Sequence, residues 1–278
     1  MRAIDMRHLG REKVICVWEL DGVLIDPGPQ STEATLLAAL DEREPRALLL
    51  THIHFDHAGV AGALVRRWPG LPVYVHERGA PHLADPARLV ASAARLYGGE
   101  QELARLWGDV APVPEANLHV LRGGETVLGE YAVEYTPGHA SHHVCYLHRP
   151  SATAFVGDMA GVRIPPAEYV IAPTPPPDID VEAWERAIDL IEGWEPDVLA
   201  MTHFGRVDDV GPHLRQLRAR LHEQVALAAA HGQDAFEAGI EARIAEHAPE
   251  LAPVFAQAAP PEHLYLGLRR YLDKRAQA

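Results

Sequence analysis

The feature that most constrains this fold is a six-residue segment, HIHFDH at positions 52–57, which carries four potential metal ligands. An apolar run, Arg46–Leu50, precedes it and is typical of a buried strand that ends at the cluster. The first two histidines point to the same side of an extended chain, since side chains alternate with period two. The aspartate and the last histidine follow where the chain turns into the next helix. We therefore expect this loop to hold two neighbouring metal ions.

Three further candidate ligands, His139, Asp158 and His203, each follow an apolar run with the character of a strand. These runs are residues 132–136, 152–156 and 197–202. In layered α/β proteins, functional groups gather at one end of the strands, where the loops are free to vary. We therefore expect these three side chains to complete the metal site.

This pattern resembles that of the metallo-β-lactamase fold superfamily over about residues 14–205, because His-x-His-x-Asp-His is followed by a distant His, an Asp and a final His. The resemblance implies an α/β fold, a four-layer αββα sandwich. Residues 1–205 would form the catalytic domain, and residues 206–278 a helical C-terminal region packed on it. The implied ligands are His52, His54 and His139 for the first metal, Asp56, His57 and His203 for the second, and Asp158 as a bridge between both.

Within the superfamily, two segments resemble hydroxyacylglutathione hydrolase (glyoxalase II) and its relatives. They are TPGHASHHVCY at 136–146 and FVGD at 155–158. That family has a Gly-Cys-Gly-Arg/Lys segment after the aspartate, which helps to hold glutathione, whereas residues 159–166 here read MAGVRIPP. The resemblance therefore extends to the metal chemistry, and a glutathione thioester loses support as the substrate.

The expected cofactors are two divalent metal ions, with Zn²⁺ as the first choice and Fe or Mn as alternatives. Metal coordination lowers the pKa of water to about 7, so hydroxide is available as a nucleophile at neutral pH. We predict a hydrolase of a small ester, thioester or lactone, in which Asp56 orients this nucleophile or carries its proton. An iron-dependent persulfide dioxygenase of the same superfamily is the alternative, because those relatives retain much of this His/Asp pattern.

Charge and composition limit the classes of binding partner that we expect for this protein. A formal net charge of -14 on 278 residues repels a nucleic-acid backbone, so we expect a small-molecule substrate and no nucleic acid. No run reaches transmembrane length, and the N-terminal residues are too polar for a secretory signal, so we expect no membrane partner and a cytoplasmic protein. Cys16 and Cys145 lack ligand spacing, which predicts no disulfide framework. A homodimer stays open.

Three other segments bear on the shape of the site. Residues 81–107 have helical spacing and form either a lid beside the metals or an ordinary covering helix pair. Residues 164–177 hold six prolines, which exclude a regular helix or central strand and leave a pocket wall or a surface crossover. The tail is predicted to form three or so helices. Its basic end is either a solvated face or an anion-binding patch and comprises Arg269, Arg270, Lys274 and Arg275.

Asp26, His142 and His143 are candidates for orienting the ligands from outside the set. Asp26 lies in an early strand and turn, and the two histidines closely follow His139. Such groups fix the tautomer of a ligating imidazole by hydrogen bonding to its second nitrogen. The alternative for each is a purely structural role.

Overall fold

Two six-stranded sheets and a two-stranded ribbon form the frame of the molecule. The computed structural model describes residues 1–277. The strands are β1 (Arg2–Asp5), β2 (Cys16–Leu20), β3 (Val23–Ile25), β4 (Ala47–Leu49), β5 (Val73–His76), β6 (Leu118–Leu121), β7 (Thr126–Val127), β8 (Tyr131–Tyr135), β9 (Val144–His148), β10 (Thr153–Gly157), β11 (Val162–Arg163), β12 (Val170–Ile171), β13 (Val198–Met201) and β14 (Gly205–Val207).

The first sheet has the strand order β1-β2-β3-β4-β5-β6. Strands β1 to β3 pair antiparallel, and β3 to β6 pair in parallel. The central strands are short apolar runs because both faces of the sheet are covered. Their side chains alternate accordingly: Leu24 and Leu48 enter an outer core, whereas Ile25 and Leu49 enter the core between the sheets.

The second sheet has the order β14-β13-β10-β9-β8-β7. Strands β10 and β13 pair in parallel, and the other neighbours pair antiparallel. Two antiparallel pairings separate β8 from β10, so β8, β10 and β13 all run the same way. Their carboxyl ends therefore meet at one edge of the sheet, which is the edge where three of the candidate ligands follow.

Helices cover the outer face of each sheet. They are α1 (Glu33–Ala39), α2 (Phe55–Ala58), α3 (Ala61–Arg67), α4 (Ala80–Ala84), α5 (Ala87–Leu96), α6 (Glu100–Trp107), α7 (Val181–Gly193), α8 (Val210–Ala230), α9 (Gln233–His247), α10 (Ala252–Ala258) and α11 (Pro261–Ala276). Helices α1 and α3 pack on the first sheet, and α7 to α11 share a core with the second. A third core lies between the sheets. The predicted four-layer αββα sandwich with a helical C-terminal region is confirmed.

Several details extend the sequence prediction. Residues 81–107 form most of α4 and all of α5 and α6, joined by short turns, and residues 206–277 of the tail contain four α-helices instead of three or so. Strand β14 continues the second sheet two residues past the boundary predicted at residue 205. Within residues 1–277, none of the helices combines the length and the apolar composition needed to cross a membrane.

Candidate metal centre

The structure brings all seven predicted ligands together at the shared edge of the two sheets. They form three overlapping groups, and the ligand atoms of each group lie within 4.8 Å of one another. The groups are His52, His54 and His139; His52, His57 and Asp158; and Asp56, His57 and His203. The loop after β4 and helix α2 supply four of the residues, and the ends of β8, β10 and β13 lead to the other three.

The first group is a convergence of three imidazole nitrogens. Nδ1 of His54 lies 2.9 Å from Nε2 of His52 and 3.1 Å from Nε2 of His139. Outside the group, His139 Nδ1 donates to the Pro173 carbonyl at 2.8 Å. His52 Nδ1 lies 3.0 Å from the Thr51 hydroxyl, which itself donates to Asp26 and therefore accepts from this imidazole. Nε2 of His52 and Nε2 of His139 therefore each carry a free lone pair that faces the centre of the group, as a metal ligand requires.

The second group combines imidazoles with carboxylates. His57 Nδ1 donates to Asp26 at 2.8 Å, and His203 Nδ1 donates to the Val14 carbonyl at 2.6 Å, so each Nε2 faces inward. Nε2 of His203 lies 3.2 Å from Oδ2 of Asp56. The same nitrogen lies 3.6 Å from Oδ1 of Asp158.

Asp158 stands between the two groups with one oxygen toward each. Its Oδ1 lies 3.2 Å from His57 Nε2, and its Oδ2 lies 3.3 Å from His139 Nε2. Gly157 permits this position, because its φ is +48° and a Cβ there would lie 2.4 Å from the Thr51 hydroxyl oxygen. Nothing larger than glycine fits before the aspartate. A carboxylate so placed can bridge two cations.

Burial and neighbouring charges set the protonation of the two groups. Burial lowers the pKa of His52 well below its ordinary value and that of His54 to about 4, so the first group is neutral. Burial alone would raise the pKa of Asp56 and Asp158, but the nearby histidines, led by His57, outweigh it and hold both carboxyls ionised. Burial would lower the pKa of His57, yet the Asp158 and Asp56 carboxylates raise it well above its ordinary value. The ionised carboxylates of the second group therefore favour the binding of positive charge.

The residues present fit a pair of divalent cations. His57 Nε2 and Asp158 Oδ1 are buried and lie 3.2 Å apart without hydrogen-bonding geometry, and within residues 1–277 neither has another hydrogen-bond partner. Buried polar atoms seldom remain unpaired, and an unpaired one calls for a ligand, a water or an ion. Neutral imidazoles and ionised carboxylates are the donors that suit Zn²⁺, Fe and Mn.

Asp26 occupies the outer position predicted for it, at the junction of both sheets. Its Oδ2 accepts from His57 Nδ1, from the Thr51 hydroxyl at 2.7 Å and from the Thr202 hydroxyl at 3.0 Å, while its Oδ1 accepts from the Thr51 amide at 2.8 Å. Sequence reasoning missed both threonines. Thr51 directly precedes His52, and Thr202 directly precedes His203. This adjacency to a ligand was the available signal.

His142 and His143 lie beside the first group without hydrogen bonding to its ligands. The His142 ring is stacked 6.1 Å from that of His52 and lines the adjoining cavity. The His143 ring is stacked 4.9 Å from that of His52, and its Nδ1 lies 3.1 Å from the Thr136 hydroxyl. They pack against the ligand rings, and the tautomers are fixed by other groups.

A cavity of about 620 Å³ opens onto the metal centre. Its walls include α5 and the end of α6, so the segment 81–107 lies beside the ligands, and residues 173–177 of the proline-rich segment form another wall. The start of the chain and residues 257–264 also line it. These two contributions were not predicted from the sequence, because no local sequence pattern identifies a residue that reaches a site through tertiary packing.

The basic end of α11 is engaged within the protein. Arg269 pairs with Asp273 and Arg275 with Glu182. Arg270 and Lys274 both donate to the carbonyl of Pro177, at 3.1 and 3.4 Å. Arg270 and Lys274 therefore tie α11 to the proline-rich wall of the cavity.

Comparisons with known proteins point in the same direction. The profile of the Metallo-beta-lactamase superfamily (Lactamase_B) matches residues 19–203. The metallo-beta-lactamase fold-containing protein ST1585 of Sulfurisphaera tokodaii is 30% identical over 239 residues, which are 80% of this chain and 84% of the relative. The probable metallo-hydrolase YflN of Bacillus subtilis is 28% identical over 65% of this chain and 74% of its own.

Solved structures are similar as well. The crystal structure of ST1585 aligns with a TM-score of 0.62 at 28% identity and covers 73% of this chain and 80% of its own. The structure of TTHA1623 in a di-iron-bound form aligns with a TM-score of 0.56 at 26% identity, over 73% of this chain and 93% of that one.

Proposed function

The chain belongs to the metallo-beta-lactamase superfamily, and we propose that it is a dinuclear metal-dependent hydrolase of a small ester, thioester or lactone. The observation that carries this proposal is the placement of Asp158, whose two oxygens face two different groups of ligands. A single metal would use one of these groups and leave the other without a role.

Two divalent cations held here, Zn²⁺ or iron, would lower the pKa of a water molecule and so supply hydroxide for attack on a carbonyl. Neither cysteine supplies a competing nucleophile at this position. Burial raises the pKa of both Cys16 and Cys145 to about 12, so neither thiol ionises near neutral pH. Cys145 is fully buried and contacts Thr136 rather than the cavity.

Asp56 is the ligand best placed to handle a proton. Its side chain is 20% exposed and lines the cavity, whereas the Asp158 side chain is 5% exposed. An ionised carboxylate beside the reacting carbonyl can take up the proton of the attacking water and pass it to the leaving group. We therefore assign Asp56 as both a ligand and the proton carrier.

The segment after Asp158 argues against glutathione as part of the substrate. Met159 and Val162 are fully buried in the core of the second sheet, and Arg163 pairs with Asp209. Of the chain that the structure describes, no residue in 159–166 lines the cavity. The likeness to hydroxyacylglutathione hydrolase is thus proposed for the metal chemistry alone.

Both cysteines are free and buried, which is compatible with a reducing compartment. We propose a cytoplasmic enzyme on this basis.

A panel of substrates on protein loaded with Zn²⁺ or iron tests the proposal. We expect hydrolysis of esters, thioesters or lactones by the loaded protein, and a loss of at least a hundredfold in kcat/KM when Asp56→Asn removes the proton carrier. The matched control is Asp109→Asn, an exposed aspartate at the end of α6. Failure of the loaded protein to cleave any of these bonds would contradict the proposal.

An iron-dependent persulfide dioxygenase is the alternative from the same superfamily. It needs one iron held by two histidines and an aspartate, so the second group of ligands argues against it. Oxygen uptake with glutathione persulfide by the iron-loaded protein, without ester or thioester hydrolysis, would favour the dioxygenase.

A further inference from the structure

The cavity beside the metal centre is lined mainly by apolar side chains away from the ligands. The principal ones are Leu89, Ala93 and Leu96 of α5, Leu106 and Trp107 of α6, and Leu264 of α11. Its volume of about 620 Å³ lies within the range of pockets that enclose a whole small molecule. The walls therefore suit an aliphatic group far better than a peptide or sugar.

Polar groups in the walls formed by the start of the chain, α5, α6 and α11 are largely neutral, and most are already satisfied; within residues 1–277 the exception among them is the buried Trp107 Nε1, which has no hydrogen-bond partner. His8 Nε2 donates to the Leu106 carbonyl at 2.8 Å, and Gln257 donates to the backbone carbonyl of His8 at 2.9 Å. Burial raises the pKa of Tyr97 and lowers that of His263, so neither carries charge near neutral pH. An ionised ligand group placed among these neutral side chains would lose its hydration without gaining an oppositely charged partner.

The aromatic side chains form one continuous wall. The ring of His8 is stacked on Trp107 with centroids 4.7 Å apart, and Tyr97 lies edge-on to Trp107 at 5.8 Å. The Tyr97 ring also lies edge-on to His263 at 5.1 Å. This wall joins the start of the chain, the α5–α6 pair and α11, and it leaves a smooth surface of ring faces and edges.

Two of these contributions, residues 8–9 and 257–264, lie outside the region that matches the superfamily, which is 19–203. The matched region supplies the ligands, and segments outside it close the cavity over them. The shape of the cavity therefore depends on residues on both sides of the matched region.

We propose that the cavity binds a linear, uncharged aliphatic acyl chain of medium length, with the acyl carbonyl at the metal centre. The position of the reacting carbonyl rests on the proposed function, whereas binding of the acyl chain rests on the cavity alone. Exposed cations, Arg78 and Arg88, also line the cavity, so a charged leaving group stays compatible with the proposal.

Binding of neutral amides from butanamide to decanamide, which mimic the acyl group, tests the inference independently of catalysis. We expect the dissociation constant, followed by tryptophan fluorescence, to fall two- to fourfold for each added methylene until the cavity is full. The same order should appear in kcat/KM for the corresponding esters. Ala93→Phe fills the cavity and should abolish the dependence on chain length. The matched control Ala91→Phe, exposed on the same helix, should preserve it.

Leu89→Ala is a second variant, which enlarges the cavity at a partly exposed position of its wall. It should shift the preferred acyl chain to a longer one. Affinity that is independent of chain length, or identical behaviour of Ala93→Phe and Ala91→Phe, would overturn the inference. If the amides bind as expected but no ester, thioester or lactone is cleaved, the proposed function fails and the acyl site stands.

Discussion

At the residue scale, Asp26 shows how one carboxylate can organise both halves of the site. Its side chain is 1% exposed, and its φ of 48° lies in the left-handed region, which aspartate tolerates better than most residues. It accepts hydrogen bonds from Thr51 and His57 after the first sheet and from Thr202 at the end of the second. The carboxylate thereby fixes the tautomer of His57 directly and that of His52 through Thr51.

We predict that Asp26→Asn weakens metal binding by about ten- to a hundredfold, because an amide nitrogen cannot accept these hydrogen bonds. Competition with a chromophoric chelator measures the affinity. Asp21→Asn is the matched control, since Asp21 also has a left-handed φ, of 51°, but is exposed. Equal affinities of the two variants would show that Asp26 does not orient the ligands.

At the scale of elements, α11 is coupled to a metal ligand through the proline-rich wall. Gly267 packs so closely that a Cβ on it would lie 2.0 Å from the Thr174 carbonyl oxygen. Thr174 in turn donates its hydroxyl to the Leu264 carbonyl at 3.1 Å. The carbonyl of Pro173, next in the chain, accepts from His139 Nδ1. Helix α11 therefore helps to set the orientation of His139.

Gly267→Ala is expected to cost about 1–3 kcal/mol of stability by overpacking and to weaken metal binding at the first group as the wall moves. Thermal unfolding and chelator competition measure the two effects. Gly193→Ala, at the end of α7, has open space around the added methyl group and should lower neither stability nor metal affinity. A loss of stability with unaltered metal affinity would contradict the coupling between α11 and His139.

Helix α8 is docked by His213, whose Nε2 donates to the Ala160 carbonyl at 2.7 Å. Burial lowers the pKa of His213 to about 4 from an ordinary value of 6.5. The unfolded chain therefore binds the proton first as pH falls, so the contribution of His213 is complete above pH 6.5 and is lost as pH approaches 4.

The loss of stability from this group should reach about 3 kcal/mol between these limits. His213→Gln can keep the hydrogen bond but does not titrate, so the difference in urea stability between the two proteins should shrink or reverse as pH falls. Other buried histidines titrate in both proteins and cancel in the comparison. A difference that is constant from pH 7.5 to pH 4.5 would refute the assignment.

At the scale of the whole molecule, the site exists only where the two sheets meet. His52, His54, Asp56 and His57 follow the first sheet, whereas His139, Asp158 and His203 follow the second. Cations bound across this edge would connect the two sheets and stabilise the folded state relative to the unfolded one, in which the two halves separate.

The sheets and the ligand candidates could be predicted from the sequence because both produce recognisable patterns over a few neighbouring residues. The apolar run Arg46–Leu50 and the HIHFDH segment are adjacent in the chain, and strand periodicity needs only a few residues. The carbonyls of Val14 and Pro173 leave no such mark, since any residue has a carbonyl and only tertiary packing brings these two to a histidine. The closure of the cavity by residues 257–264 was hidden for the same reason.

We expect two metal ions to occupy this edge and to share Asp158. Elemental analysis of protein saturated with Zn²⁺ or iron and freed of excess metal measures this occupancy. The expected result is two equivalents per chain for the native sequence and one or fewer for Asp158→Ala, with Asp178→Ala as a control that keeps two. A native protein that retains one equivalent or less of every metal tried would contradict the dinuclear site.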